Sequence, residues 1–291
     1  MAIRWKLLAL LVWLVGGSLF TSPADAVEYS FITFDVPGGI DTEILGLNNV
    51  GEFVGVYGAA TTGFLYSRGV VSTVAFPGAD VTVPYGINDS GDITGYYIAG
   101  GVTHGFVRVR DVYTSFDVPT ATQTFGRGIN NRREIVGQYT TDTNPNRGFV
   151  RLGDTFTTID SPIGGEITAY GINDAGDIVG YIGVSGSVQT FRLVRGNMEL
   201  IRFQNNVATY GLGINNAGDI VGVTCEVICD AAGNTIYVLS GDTFSFVAPP
   251  GIFGDAHGIN DHGQLAGFYF DAGGRHGFIA TPHGSIRSPA H

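Results

Sequence analysis

Short stretches of alternating apolar and polar residues, each ended by Gly, Asn, Asp or Pro, follow one another along most of the chain. In one such unit, Tyr85–Asn88 and Asp92–Tyr97 flank the tight turn Asp89–Gly91. Alternation with a period of two indicates half-buried β-strands, and Asn and Asp initiate turns because their side chains bond the nearby backbone. Two further strands are predicted at His104–Val109 and Tyr113–Pro119, which makes four strands in this unit.

The same unit recurs six times. Each copy contains a Gly-Ile-Asn or Gly-Leu-Asn phrase, and successive phrases start 40, 42, 43, 42 and 45 residues apart, at Gly46, Gly86, Gly128, Gly171, Gly213 and Gly258. A four-stranded repeat of about 40–45 residues without helical periodicity is typical of a propeller blade. We therefore predict an all-β fold, a six-bladed β-propeller of four-stranded antiparallel blades.

The two ends of the chain predict how the ring closes. The fourth-strand pattern occurs first at Phe34–Pro37, before the first Gly-Leu-Asn phrase, whereas the sixth copy ends with a third strand at His276–Ala280. We expect the N-terminal strand, within Tyr29–Pro37, to complete the last blade, which leaves no open sheet end. A glycine recurs in every second strand, and it predicts close packing between neighbouring blades; the six are Gly55, Gly95, Gly137, Gly180, Gly222 and Gly267.

The first 26 residues have the features of a secretory signal peptide. Arg4 and Lys6 precede the apolar run Leu7–Val15, and the sequence Ala-Asp-Ala at 24–26 matches an A-x-A cleavage site. We expect cleavage after Ala26, a secreted or periplasmic protein, and one propeller domain over residues 27–291. No later apolar run approaches the roughly 20 residues of a membrane span, so none is predicted.

Cysteine use and charge narrow the class of partner. In an oxidising compartment, Cys225 and Cys229 are expected to form a disulfide across one local loop. The formal net charge of −11 disfavours a nucleic acid or an anionic membrane as partner, because both are bound by basic patches. Like charge over an exposed surface also favours a monomer.

The repeat resembles a known family of bacterial extracellular repeats, the HAF repeats. The resemblance rests on Gly171–Tyr181, which reads Gly-Ile-Asn-Asp-Ala-Gly-Asp-Ile-Val-Gly-Tyr, and on His-Gly-Phe at His104 and His276. Where the family has His-Ala-Phe, this chain has His-Gly-Phe twice and Arg-Gly-Phe once, at Arg147. The resemblance covers nearly all of residues 27–291. It implies an exported repeat protein and no particular reaction.

The Asp-rich turn offers oxygen ligands for calcium at Asn88, Asp89 and Asp92. The other copies weigh against a metal, because the carboxylates vary while the turn persists; the third copy has Asn131 where the second has Asp89. We therefore interpret the motif as turn geometry and predict neither a metal nor a cofactor. His104 and His276 occupy the same repeat position, which favours a packing or hydrogen-bonding role.

Propeller topology places the connections that enter each first strand, and those between second and third strands, on one face. Polar and aromatic residues of these segments surround the central opening, and function tends to lie on loops held by a rigid scaffold. An ordinary packing or surface role remains open for each of them. The candidate ligand-binding residues are Asp41, Glu43, Tyr85, Arg127, Glu166, Tyr170, Tyr210, Asp255 and His257.

Three function classes follow from this face. The first is an exported binding or interaction module for a glycan, a cell-surface component or a protein. The second is a hydrolase or lyase of an extracellular polymer, with Glu166, Asp255 and His257 as general acid and base. The third is a structural envelope protein. No set of nucleophile, base and orienting residue stands out, so the binding module is favoured over an enzyme.

Overall fold

The computed structural model describes residues 27–143, 146–184, 186–203, 207–225 and 234–284. These residues form six four-stranded antiparallel sheets, and none of them is helical. The prediction of a six-bladed all-β propeller is confirmed. Within each blade, neighbouring strands are consecutive in the chain except where the ring closes.

The strands are numbered in chain order, and each blade is given from its innermost strand outward. Blade 1 contains β2 (Glu43–Leu47), β3 (Phe53–Tyr57), β4 (Thr62–Ser67) and β5 (Val70–Val74); blade 2 contains β6 (Val81–Ile87), β7 (Ile93–Ala99), β8 (Val102–Val109) and β9 (Val112–Phe116); blade 3 contains β10 (Gln123–Ile129), β11 (Ile135–Thr140), β12 (Arg147–Leu152) and β13 (Thr155–Ile159). Blade 4 contains β14 (Glu166–Ile172), β15 (Ile178–Val184), β16 (Ser187–Val194) and β17 (Asn197–Ile201); blade 5 contains β18 (Ala208–Ile214), β19 (Ile220–Cys225), β20 (Thr235–Ser240) and β21 (Thr243–Val247); blade 6 contains β22 (Phe253–Ile259), β23 (Leu265–Asp271), β24 (Gly274–Pro282) and β1 (Tyr29–Phe34).

The N-terminal strand closes the ring, as predicted. β1 pairs antiparallel with β24 in a register that runs from Tyr29 opposite Pro282 to Phe34 opposite Gly277. An ion pair between His276 Nδ1 and Asp35, 2.9 Å long, adds a side-chain contact at this closure. The equivalent side chains of blade 2, His104 and Asp117, form the same bridge at 2.8 Å. In these two blades the histidine before Gly-Phe on the third strand therefore pairs with the aspartate that follows the fourth strand.

The recurring second-strand glycines make their tightest contacts within their own blade, which the prediction of packing between blades did not include. Their backbone also approaches the next blade, since a Cβ at Gly126 would lie 2.7 Å from the main-chain oxygen of Gly95. A side chain at Gly137 would overlap the main-chain oxygen of Phe125 in the first strand and lie 2.9 Å from the ring of Phe149 in the third. The innermost strand carries a β-bulge beside this position, and the bulge pushes its backbone toward the glycine. The third-strand aromatic ring then covers the glycine, and these rings are among the most buried side chains: Phe64, Phe106, Phe149, Phe191, Tyr237 and Phe278.

Contact between blades also depends on the first glycine of each phrase. A Cβ at Gly46 would lie 2.5 Å from the main-chain oxygen of Tyr85 in the next blade, and one at Gly86 would lie 2.6 Å from that of Arg127. The innermost strands thus meet backbone to backbone around the axis. Any larger residue would force neighbouring blades apart.

On the face that carries the Asn-Asp turns, called the turn face below, six asparagines form a closed circle of hydrogen bonds. Each Nδ2 donates to the main-chain carbonyl of the equivalent asparagine in the next blade, at 3.0–3.2 Å. Each Oδ1 accepts from two main-chain N–H groups of its own turn, as Asn130 does from Arg132 and Glu134. This asparagine ring consists of Asn48, Asn88, Asn130, Asn173, Asn215 and Asn260.

A second circle lies beside it and alternates Asn with Asp. Asn131 Nδ2 donates to Asp89 at 2.9 Å and to Asp174 at 2.8 Å, and each Asp in turn donates its main-chain N–H to the next Asn. This alternating ring consists of Asn49, Asp89, Asn131, Asp174, Asn216 and Asp261. The residue after each ring asparagine is therefore Asn in one copy and Asp in the next around the ring. The alternation is required because each Asn amide donates to an Asp carboxylate on either side.

Candidate ligand site at the loop face

The face opposite the turn face is called the loop face below. Several layers of residues are stacked along the propeller axis between the turn face and the loop face. Above the asparagine ring lies an apolar ring, then the backbone contact at the phrase glycines, and then the six residues of the β-bulges. Two small cavities of about 90 and 80 Å³ lie on the axis, and both are lined by the apolar ring. The apolar ring consists of Leu47, Ile87, Ile129, Ile172, Ile214 and Ile259.

Each innermost strand has its register shift at the residue before the phrase glycine. A β-bulge re-aims a side chain that would otherwise follow the pleat. One such residue comes from each blade, and all of them except Arg127 line the axial cavity nearer the loop face. This bulge ring consists of Leu45, Tyr85, Arg127, Tyr170, Leu212 and His257, so the structure brings together four of the nine candidate residues.

Arg127 is stacked between tyrosines of the bulge ring. Its guanidinium carbon lies 4.3 Å from the ring centre of Tyr85 and 4.8 Å from that of Tyr170, with Tyr96 and Phe125 within 6 Å. Such contacts stabilise a partly desolvated cation by about 0.5–2 kcal/mol each. Burial opposes the charge, but the surrounding tyrosines outweigh it and raise the pKa of Arg127 above its ordinary value. Arg127 is therefore cationic at any physiological pH.

The hydrogen-bonding capacity of Arg127 is unused. Its Nε is buried without a partner, and neither an ion pair nor a hydrogen bond joins its guanidinium to another described residue. Arg275 also has a buried Nε without a partner, but its guanidinium forms an ion pair with Glu43 across the junction of blades 6 and 1. A buried guanidinium without acceptors carries a desolvation cost that a bound anion would offset.

His257 is neutral in this environment. Its Nδ1 shares a hydrogen bond of 3.1 Å with the Tyr85 hydroxyl, and its ring stacks on Phe268 with centroids 5.9 Å apart. Burial first, and then the positive charge of Arg127, lower the pKa of His257 to about 3. The pKa of Tyr85 is raised well above its ordinary value by burial, and next by Tyr170. Both groups therefore remain uncharged at neutral pH.

An arc of tyrosines continues from Arg127 around the axis. Ring centroids are 5.7 Å apart for Tyr85 and Tyr170, 5.6 Å for Tyr170 and Tyr181, and 4.8 Å for Tyr181 and Tyr210. Sequence reasoning missed Tyr181 and Tyr96. Both follow the second-strand glycine of their repeats, and an alignment of the copies at that glycine would have shown aromatic residues facing the same axis.

The carboxylates among the candidates are distributed over separate blade junctions. Asp255 accepts a 2.8 Å hydrogen bond from Asn234 of blade 5, and burial raises its pKa. Glu166 is exposed and accepts from Asn146 of blade 3 at 2.8 Å, beside a groove of about 430 Å³. The half-buried Asp41 accepts from the main chain of Arg275 at 3.4 Å. Neither a hydrogen bond nor an ion pair between described residues joins Glu166 to Asp255 or His257, which lie two residues apart on β22.

Carboxylate oxygens on the turn face are engaged by amides. Burial disfavours the charge of Asp89, but the donors of Asn49 and Asn131 outweigh it and hold its pKa below the ordinary value. Within the described ranges, no group of three or more His, Cys, Asp or Glu side chains is placed to hold a metal ion.

Several predictions concern residues outside the described ranges. Cys225 is buried at the end of β19, whereas Cys229 is outside them, so the disulfide stays a prediction. The same holds for the signal peptide at 1–26. Where the chain is described, no helix is long and apolar enough to cross a membrane.

Comparison with solved structures finds propeller proteins of low sequence identity. A catalytically inactive virginiamycin B lyase from Staphylococcus aureus with quinupristin is 12% identical, with a TM-score of 0.52 over 87% of this chain and 99% of that one. An Aleuria aurantia lectin in complex with Fucα1-6GlcNAc is 10% identical, with a TM-score of 0.51 over 91% and 97%. TolB from Acinetobacter baumannii is 11% identical, with a TM-score of 0.52 over 84% and 64%. At these identities the likeness concerns the fold. No family model and no curated sequence matches the chain.

Proposed function

We propose that this protein is an exported HAF-type propeller that binds an extracellular ligand, a glycan or a protein, on its loop face. The observation that carries the proposal is the bulge ring, to which each blade supplies one residue. Two tyrosines and a histidine line the axial cavity, and Arg127 packs against both tyrosines. Aromatic faces with a few convergent polar groups suit a small-molecule or glycan site. Export is supported by the signal-peptide pattern of residues 1–26.

The structural neighbours are compatible with this proposal. The Aleuria aurantia structure is a lectin in complex with Fucα1-6GlcNAc, and the Staphylococcus aureus structure is a catalytically inactive lyase with quinupristin. Propellers of comparable size thus accommodate small ligands in both binding and catalytic proteins, and the fold leaves the choice to the site.

A hydrolase or lyase is the second candidate. It is favoured by Asp255, because burial raises the pKa of this carboxyl toward the range of a general acid. The low pKa of His257 does not favour it, because an imidazole of pKa about 3 is a weak base. It is disfavoured by the separate hydrogen-bonded positions of Asp255 and Glu166. A structural envelope role is the third candidate and needs no ligand.

The test combines binding and turnover on purified protein spanning residues 27–291. Binding to a broad glycan array is measured together with release of reducing ends, for the wild type, Tyr170→Ala and Phe246→Ala. Phe246 is exposed on β21, so its variant controls for loss of a surface aromatic elsewhere. We expect Tyr170→Ala alone to weaken binding. Release that Asp255→Asn abolishes while binding is retained would establish the enzyme. Neither binding nor release would exclude a glycan of the array and shift the weight to a protein ligand or a structural role.

A further inference from the structure

We propose that the ligand of the loop face carries an anionic group, a carboxylate such as that of an acidic sugar, which the guanidinium of Arg127 binds. This inference rests on the proposed binding function and names the chemistry of that same site.

The first argument is the charge balance of the face. The carboxylates of Glu43, Glu166 and Asp255 each have a donor, from Arg275, Asn146 and Asn234 respectively. Arg127 has neither a carboxylate nor any other acceptor among the described residues. The tyrosine faces compensate part of the charge, but they accept none of the guanidinium N–H groups, and a buried N–H without an acceptor costs about 1–3 kcal/mol. Among the described residues no carboxylate pairs with Arg127, so a ligand anion can occupy this position.

The second argument is geometric. Tyr85 and Tyr170 contact Arg127 through their ring faces. Its Nε is buried, so the edge left for a ligand is the one that carries the two Nη groups. That edge is a planar fork, which matches the two oxygens of a carboxylate. Holding the fork in advance lowers the entropy lost when an anion binds.

The third argument concerns the surroundings of the guanidinium. His257 is neutral, so it adds no second positive charge, and the tyrosine arc offers aromatic faces on which a sugar ring can stack. A carboxylate attached to a sugar therefore fits better than a compact multivalent anion, which needs several cations. The net charge of −11 does not exclude an anion, because exposed charges farther than about 8–10 Å are largely screened at physiological salt.

The test is calorimetry of residues 27–291 with α-1,4-linked tri-galacturonate and with its fully methyl-esterified form. The variants are Arg127→Gln, Arg127→Lys and, as matched control, Arg192→Gln, whose arginine on β16 pairs with Glu199 on β17. We expect the acid form to bind the wild type and Arg192→Gln, with affinity reduced about 10-fold to 100-fold by Arg127→Gln or by esterification. Arg127→Lys retains charge without the fork and should fall between them.

A second measurement needs no variant that might misfold. The Arg127 Nε–H resonance is followed by ¹⁵N NMR while acetate is added to the wild type, and a saturable shift that tri-galacturonate also produces supports the anion site. Equal binding of acid and ester with an unmoved resonance would overturn the anionic inference but leave the binding function intact. An unmoved resonance without binding of either trisaccharide would also overturn it. Absence of glycan-array binding altogether would contradict the glycan form of the proposed function, whatever acetate does.

Discussion

We predict that one substitution in the asparagine ring, Asn130→Ala, causes a large loss of stability. The Asn130 side chain makes four hydrogen bonds: Nδ2 donates to Glu134 at 2.6 Å and to the carbonyl of Asn173 at 3.0 Å, and Oδ1 accepts two main-chain N–H groups at 3.0 Å each. The side chain is 4% exposed, so water cannot easily replace these partners.

The magnitude follows from the groups left behind. Each hydrogen bond contributes about 0.5–1.5 kcal/mol net, and a buried N–H without an acceptor costs about 1–3 kcal/mol. Loss of the side chain should therefore lower the free energy of unfolding by about 3–5 kcal/mol, which is a large part of the roughly 5–15 kcal/mol typical of a domain. The loss also opens the circle, so the contact between blades 3 and 4 weakens.

The assay is equilibrium urea unfolding of residues 27–291, followed by far-UV circular dichroism because both tryptophans, Trp5 and Trp13, lie before residue 27. Asn197→Ala is the control, since its side chain is exposed at the start of β17 and should change stability by less than about 0.5 kcal/mol. Asn130→Asp keeps the shape but sets an oxygen against the Asn173 carbonyl, so it should be as destabilising as alanine at neutral pH. A cost below about 1 kcal/mol for Asn130→Ala, with an unchanged urea dependence, would refute the structural role of the ring.

Three further predictions concern backbone contact and pH. Gly137→Ala should prevent folding or cost several kcal/mol, whereas Gly183→Ala, whose new Cβ meets nothing within 4 Å, should be nearly neutral in thermal unfolding; equal effects would contradict the packing. In the folded protein the hydrogen bond to Asp35, and then its negative charge, raise the pKa of His276 above 6.5. The bridge therefore stabilises the fold fully below pH 6.5, and this contribution is lost as the pH rises through the pKa of His276 in the folded state. Asp35→Asn should flatten this part of a plot of Tm against pH, and an unchanged profile would show that the bridge contributes nothing. The pKa of His257 is lowered to about 3 in the folded protein, so between pH 6.5 and 3 only the unfolded chain binds a proton at this residue, and the wild type loses stability as the pH falls. In an acid titration followed by circular dichroism, the His257→Gln variant should therefore lose less stability than the wild type over this pH range.

The candidate site was only partly accessible to sequence reasoning. The residue before each phrase glycine was identifiable by aligning the repeats, and this placed Tyr85, Arg127, Tyr170 and His257 on one face. The roles of these residues could not be predicted from the sequence, since the protonation state of a titratable group depends on its neighbours in space. His257 is neutral because it is buried next to Arg127, and these residues lie on blades 6 and 3, far apart in the chain.

The recurring Gly-Ile-Asn phrase by itself determined the number of blades and the strands of each, and the displaced fourth-strand pattern determined that β1 completes blade 6. Local signals of this kind suffice because alternation and turn chemistry act within a few residues. Only the tertiary structure decided which neighbour each glycine contacts, because the β-bulge moves the backbone of the first strand toward Gly137 in the same blade. It also decided the meaning of the Asn and Asp alternation, since Asn49 and Asp261 become neighbours only when the ring closes.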